Sequence, residues 1–389
     1  MFLFERFVPE KIWRRLRPDA IYIWDNDEVR KRLKWYYLVM IDRVPAKFLL
    51  AKIAESPERK IDSFDLEQLL DLRRRMVKEH RLLVNAASRE KYLLEDFEKD
   101  YKGWKGVVSL LDVDIQIVKK LFNPCRLCER RCLIDRSKRI GACRLDHRTY
   151  VHSWFHHLGE EAPLVPSGTI FYGGCNFTCV YCQNYDISQK YPRSGEVVTP
   201  RRLAEIQYQL RIMGARNINH VGGEPTPSLH TIIESFKFLD INVPQIWNSN
   251  MYMTLEVTEV LTDVIDLWLP DFKYGNNKCA LRLSAVPRYF EVVSRNHIIA
   301  SRDGDMIIRH LVLPGHVECC SKRIIRWIAE NLPKDKVLVN IMDQYRPENL
   351  VAQYPRRWPE LSRPVYREEV EEVMALADKL GIVYEPVSR

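Results

Sequence analysis

No run of apolar residues in this 389-residue chain reaches the roughly 18 positions that a membrane-spanning helix needs. No secretory leader opens it either: "MFLFERFVPEKIWRRLRPD" breaks its short apolar start with Glu5 and Arg6, where a leader would carry a longer apolar stretch. Internal repeats and low-complexity tracts are absent from the sequence. These absences exclude a membrane span and a repeat architecture, and they predict a cytoplasmic protein with no membrane partner. What is present is ordinary for a globular chain: 46% hydrophobic and 29% charged residues. The length predicts one large domain with a smaller appendage.

The charge is uneven. Of the net +8, residues 121–150 hold eight Arg/Lys against three Asp/Glu. Such a basic stretch attracts an anionic partner such as RNA, an acidic protein or a phosphorylated metabolite. It equally suits a solvated face, or compensation for an anionic thiolate cluster. Ten cysteines fall into three groups: Cys125, Cys128, Cys132 and Cys143; Cys175, Cys179 and Cys182; and Cys279, Cys319 and Cys320. Gaps of two and three residues in a chain without a secretory signal favour metal ligation over disulfides. The last three lack ligand spacing and are expected to be buried or incidental thiols.

Residues 1–120 read as helical. Apolar positions 66, 69, 70, 72, 76, 77, 82, 83 and 84 recur at helical intervals, Ser63 with Asp65 and Glu67 marks a start, and Pro45 interrupts an earlier helix. From residue 168 the pattern changes to short β-branched or aromatic runs at 168–174, 218–223, 245–250, 264–272, 306–313 and 337–342. Amphipathic stretches at 201–214, 228–240, 254–262, 278–300 (broken at Pro287), 319–331 and 368–380 lie between and after them. Six βα units in succession predict an α/β fold with a parallel sheet. Polar or glycine residues gather just past the strand ends, where parallel sheets bind ligands: Gly223–Glu224, Asn248–Ser249–Asn250, Asp271, Gly315 and Asp343.

Directly after the first of these strands comes "CNFTCVYC", with Cys175, Cys179 and Cys182. Three thiolates on one tight loop hold three irons of a cubane and leave the fourth iron open to a small molecule. A zinc site with a distant fourth ligand, or a cluster of buried thiols, is the alternative.

This octet, with the aromatic Tyr181 just before its last cysteine, resembles the signature of radical S-adenosylmethionine (radical SAM) enzymes. The resemblance implies a partial (β/α)6 TIM-type barrel and a [4Fe–4S] cluster that binds the amine and carboxylate of SAM. Reductive cleavage then yields a 5′-deoxyadenosyl radical that takes a substrate hydrogen. Gly222-Gly223-Glu224-Pro225 is similar to the family's GGEP element, whose glutamate takes the SAM amine; a carboxylate suits an ammonium group. Asn248, Ser249 and Asn250 resemble donors for the ribose and carboxylate of SAM. Asp271 and Lys273 resemble the Asp-x-Lys element of glycyl-radical activating enzymes, with a surface ion pair as the plain alternative. Arg309, His310, Asn340, Asp343 and Gln344 are expected to line the substrate side; for His310 a satisfied core histidine is the alternative. More narrowly, "CRLCERRC", "LPDFKYG", "RHLVLPGH" and "NIMDQYRP" resemble the PflX subgroup, named for similarity to pyruvate formate-lyase activating enzyme. The resemblance covers residues 120–389.

Cys125, Cys128, Cys132 and Cys143 supply four thiolates, enough to close a second site, either zinc or an auxiliary iron–sulfur cluster. The expected organisation is a helical region at 1–120, a four-cysteine metal-binding segment at 121–150, and the partial barrel with its C-terminal helix at 151–389. The expected function is a radical SAM oxidoreductase acting on a protein or peptide, supplied with electrons by a low-potential donor such as flavodoxin or ferredoxin. RNA or a small metabolite is the alternative substrate, and a metal-bound scaffold the non-catalytic alternative. No second radical-loop triplet and no cobalamin-binding region accompany these motifs.

Overall fold

The computed structural model describes residues 6–101 and 107–388. Residues 1–5 and 102–106, part of the stretch expected to be helical, lie outside the described residues.

Eight strands form one sheet: β1 (Thr149–His157), β2 (Ser167–Tyr172), β3 (Glu196–Val198), β4 (Ile218–Gly222), β5 (Gln245–Ser249), β6 (Leu267–Pro270), β7 (Asp305–Leu311) and β8 (Val337–Met342). Their spatial order is β3-β1-β2-β4-β5-β6-β7-β8. From β2 through β8 every pairing is parallel, so the six expected strands form in the expected sequence. Two further strands, β1 and β3, extend one edge antiparallel. The segment expected as a strand over 264–272 is shorter and ends at Pro270, which has no N–H to give to the ladder, although Asp271 N and Phe272 N still bond Ser249 O and Arg309 O of the neighbouring strands.

Consecutive strands lie side by side in one direction, and β8 does not return to β2. That is a barrel left unclosed. Its curvature shows in a polar network spanning the interior. Glu160, just past β1, accepts from Asn219 of β4 at 3.0 Å and also pairs with Arg309 of β7. A single carboxylate reaches both β4 and β7, three strands apart in the sheet, only if the sheet curls. Glu161 accepts from Arg309 Nε at 2.7 Å and from Asn340 of β8 at 2.7 Å. Arg309 and Asn340, expected on the substrate side, are thus committed to these carboxylates. Asp343 and Gln344 stand exposed beyond β8.

Helices Pro200–Ile212, Leu229–Ser235, Leu255–Thr262, Asn277–Ser284, Tyr289–Asp303 and Lys322–Asn331 fall between the strands, with Arg367–Lys379 last. The break at 285–288 fits Pro287, with Ala285 and Arg288 at positive φ. No described helix is long and apolar enough to cross a membrane.

The N-terminal helices pack on the strand-start end of the barrel. Helix Leu66–Ser88 begins at Asp65, whose side chain and that of Gln68 form a reciprocal cap. The cap is therefore two residues beyond the expected Ser63. Inside this helix Arg73 is buried between Asp263 (2.6 Å) and Asp114 (3.2 Å). Asp266, at the start of β6, joins three elements: it accepts from Trp35 Nε1 at 2.8 Å, Lys47 N at 3.0 Å and Gln245 N at 2.8 Å. Replacing it by Ala leaves two backbone donors and an indole donor buried without a partner, at about 1–3 kcal/mol each. Asp266→Ala is therefore expected to lose at least about 3 kcal/mol, read as a lowered midpoint in urea unfolding; an unchanged midpoint would show that these helices are not anchored there.

Candidate active site at the strand ends

The loop after β2 has little regular structure, so its cysteines are placed by hydrogen bonds from distant segments. Gly173 N donates to Tyr150 O and Gly174 N to Ile187 O, both at 2.9 Å. Thr178 N and Val180 N donate to Ser284 O (3.0 Å) and Leu283 O (2.9 Å), at the end of helix Asn277–Ser284. Two side-chain amides, Gln189 and Asn349, close on Cys179 O at 3.1 and 3.0 Å. Cys175 and Cys179 are buried and Cys182 is half-buried.

The sulfurs have polar neighbours of their own. Ser284 Oγ donates to Cys179 Sγ at 3.0 Å, Phe177 N to Cys175 Sγ at 3.3 Å, and Ser188 Oγ lies 3.4 Å from Cys182 Sγ. Tyr181, whose ring is buried, shares a 2.7 Å contact with Tyr274 OH, which lies 2.5 Å from Ser284 Oγ. Burial pushes the Cys179 thiol up to about 11, the neighbouring Cys182 adds to the rise, and Lys273 opposes it. Burial also raises Cys175, and Glu224 and the other two thiols push the same way. Cys175 and Cys179 both feel a neighbouring thiol's charge, yet the three sulfurs are not among the described ligand atoms that converge within 4.8 Å. Sulfurs near enough to couple but too spread for one ion suit a cubane, which takes each thiolate on a different iron.

Glu224, two residues past β4, is buried. Its carboxylate accepts from Thr226 N (3.2 Å), Thr226 Oγ1, Ser249 Oγ (2.7 Å) and Asn250 N (2.9 Å). Among the described residues no Lys, Arg or His pairs with it, and burial raises its pKa despite these donors. A buried carboxylate so arranged lacks a cation. Asn248 Nδ2, at the neighbouring strand end, is buried with no hydrogen-bond partner. These two features fit a ligand carrying an ammonium group and an acceptor, as SAM does.

The remaining predicted residues divide. Ser249 is engaged with Glu224, while Asn250 donates to Asn176 Oδ1 at 2.7 Å and so ties the β5 end to the cysteine loop. Asp271 and Lys273 form a half-buried ion pair at 2.7 Å. Burial works against the Lys273 charge, but Asp271 and the Cys179 and Cys182 sulfurs outweigh it and raise its pKa. His310 is a satisfied core histidine: Nδ1 meets Phe272 O and Nε2 meets Ser321 Oγ, both at 2.8 Å. The glycines of the GGEP element serve the loop itself. At Gly222 (φ +110°) an added Cβ would stand 2.2 Å from Tyr172 N, and at Gly223 2.1 Å from Gly174 O.

The upstream cysteines lie beside this loop. Arg130 Nε donates to Asn176 O at 2.9 Å and Arg144 to Thr178 Oγ1 at 3.1 Å. Cys143 O would stand 2.7 Å from a Cβ at Gly174. The thiols of Cys125 and Cys128 are raised by burial; Cys143 and Cys132 push both the same way, and Cys125 adds to the rise at Cys128. Like the loop set, this one is not drawn within single-ion distance among the described residues.

Residues 169–328 match the Radical SAM superfamily. The chain carries a radical SAM domain. It is 40% identical over 363 residues to the Uncharacterized protein MJ0674 of Methanocaldococcus jannaschii, covering 91% of this chain and all of that protein. Among solved structures it is similar to Streptococcus suis SuiB bound to S-adenosylmethionine, at 12% identity and a TM-score of 0.41, over 55% of this chain and 48% of that one. It is also similar to a radical SAM methyltransferase from Sphaerobacter thermophilus, at 12% identity and a TM-score of 0.40, over 57% and 66% of the respective chains. The chain thus spans about half the length of SuiB.

Sequence reasoning missed Ser284, which reaches Cys179 only through the fold, and the local partners Thr226, two residues from Glu224, and Asn176, next to Cys175. It also misjudged Cys279, Cys319 and Cys320. These three converge with His316 rather than lying as scattered thiols; His316 preceding a Cys–Cys pair by three residues was the available signal. For the loop, Cys179→Ala is expected to lower the iron–sulfur absorption after anaerobic reconstitution by the loop cluster's share, leaving only that of a cluster on the upstream cysteines, while Cys279→Ala leaves it whole; absorption in Cys179→Ala equal to wild type would show that the loop is not the cluster site.

Proposed function

We propose that the protein is an activating-enzyme-like radical SAM oxidoreductase of the PflX type, working in the cytoplasm and taking hydrogen from a protein or peptide substrate. The observation that carries the SAM reading is Glu224: a buried carboxylate, fixed by four donors and without a cation, beside the three-thiol loop. When bound, the [4Fe–4S] cluster and SAM supply reductive cleavage of SAM to methionine and a hydrogen-abstracting 5′-deoxyadenosyl group. Cys175, Cys179 and Cys182 offer the thiolates, and Ser284 and Phe177 N–H steady two of them. Glu224 binds the ammonium and Asn248 Nδ2 donates to an oxygen of the same ligand. Lys273, held by Asp271, offsets thiolate charge. The buried Tyr181, Tyr274 and Phe177 keep water from the sulfurs.

A polypeptide substrate is supported by the unclosed barrel together with the PflX resemblance. The alternative of RNA loses some of its motive, because five arginines of the basic stretch are engaged within the chain, although Arg131 and Arg148 stay exposed. Arg136 is buried and donates to Asp146 O and Pro227 O, Arg130 and Arg144 hold the loop, and Arg131 and Arg148 pair with Glu129 and Asp146. This favours the charge-compensation reading of that segment. The upstream cysteines are read here as an auxiliary cluster through which a low-potential donor such as flavodoxin or ferredoxin passes its electron. Their spread and their contacts with the loop support this over zinc. Ten free cysteines suit the reducing cytoplasm.

A charge-assisted hydrogen bond is worth about 1.5–3 kcal/mol. Glu224→Gln is thus expected to weaken SAM binding roughly 10- to 100-fold with iron content unchanged; unaltered SAM affinity would remove Glu224 from the site. For the substrate, mass spectrometry of extracts from cells with and without the gene is expected to show a changed protein mass. A changed RNA mass instead would select the other reading.

A further inference from the structure

Cys279 stands in the first turn of helix Asn277–Ser284, beyond β6; His316, Cys319 and Cys320 stand on the turn beyond β7. Their four ligand atoms all lie within 4.8 Å of one another. Cys279 Sγ is 3.8 Å from Cys319 Sγ, and Cys319 Sγ is 3.9 Å from Cys320 Sγ. His316 Nδ1 is 3.6, 3.3 and 3.9 Å from the sulfurs of Cys279, Cys319 and Cys320. None of the three cysteines is in a disulfide.

These are the edges of a metal tetrahedron. Zinc–sulfur bonds of about 2.3 Å and a zinc–nitrogen bond of about 2.0–2.1 Å require sulfur–sulfur edges of ~3.8 Å and nitrogen–sulfur edges of ~3.6 Å. The observed separations scatter about those values. A cubane would need its sulfurs spread over separate irons, as in the other two cysteine sets, so the contrast within one molecule is chemical. We propose that Cys279, His316, Cys319 and Cys320 bind one Zn²⁺ in a closed Cys₃His site.

The surroundings are those of a built site. Asn276 Nδ2 donates to Cys319 O at 2.7 Å and approaches Cys279 Sγ at 3.3 Å, while its Oδ1 accepts from Cys279 N at 2.9 Å. Gly275 packs so tightly against Cys320 that an added Cβ would stand 2.7 Å from its carbonyl oxygen. With Nδ1 on the metal, His316 turns Nε2 toward Glu360, 3.8 Å away, and Glu360 pairs with Arg282 at 2.6 Å. A carboxylate behind a ligating imidazole fixes its tautomer and orientation. On binding, three thiols release their protons and the imidazole stays neutral, so the ion and its ligands carry a net charge of −1.

Four protein ligands leave no open position, which makes the ion a brace rather than a reagent. It fastens the start of helix Asn277–Ser284 to the turn after β7. The other end of that helix supplies Ser284 and Leu283 to the cysteine loop. The zinc site stands on its own geometry, whichever substrate the enzyme takes.

The test is zinc by inductively coupled plasma mass spectrometry on full-length protein purified anaerobically. Because the upstream set has four thiols of its own, a single zinc per chain does not locate the ion; paired variants do. Cys319→Ser is expected to lose one zinc per chain relative to wild type, and Cys128→Ser to keep it. Equal zinc in Cys319→Ser and wild type, or no zinc in wild type grown with zinc, overturns the proposal. Should Cys319→Ser fail to fold, peptide-resolved iodoacetamide labelling of wild type decides. Cys279 and Cys319 are half-buried and are expected to resist alkylation until a zinc chelator is added; equal labelling with and without the chelator overturns the site.

Discussion

Three buried thiols have to be held together on a loop that has almost no regular structure of its own. Much of the site follows from that constraint. Burial raises the pKa of Cys175 and Cys179, so the loop is poised for a metal to displace protons rather than for free thiolates. The loop backbone is fixed by β1, by the turn at Ile187 and by helix Asn277–Ser284. Gly222 and Gly223 let the β4 end come against the β2 end closely enough for Glu224 to face it. Asn250 then links the β5 end to Asn176. Cofactor contacts and loop support are shared among the same few residues.

The opposite end of the barrel is the fixed base. Asp266 and the Asp114–Arg73–Asp263 group join the N-terminal helices to the strand starts. Such buried charges add specificity of docking more than net stability, since desolvation offsets much of the pairing energy. In the interior, Glu160 and Glu161 hold Arg309, Asn219 and Asn340 across the curled sheet. Rigid strands thus present their loops on one side, while the chain between β6 and β8 supplies the helix that reaches the cysteines.

How much was legible in the sequence depended on the range of the signal. The six parallel strands were readable because Ile170, Val221, Ile246, Leu269, Ile307 and Val339 sit in short apolar runs between helical stretches. Strand β1 was not, since "TYVHSWFHH" carries three histidines, and β3 has only three residues. Cys175, Cys179, Cys182 and Glu224 stood out because their motifs are local and their resemblance specific. Roles made by tertiary contact were hidden: Ser284 lies 105 positions from Cys179, and Cys279 lies 37 from His316. His310 went the other way. Its motif suggested a ligand contact, but the fold supplies partners for both ring nitrogens.

The central claim is that the loop of Cys175, Cys179 and Cys182 holds a cluster with a coordination position that SAM takes. Electron paramagnetic resonance of the anaerobically reconstituted, reduced protein tests it most directly. The account predicts a reduced [4Fe–4S] signal whose shape changes when SAM is added, and which is missing in a variant lacking the three loop cysteines. A signal indifferent to SAM, or one that survives loss of those cysteines unchanged, would contradict it.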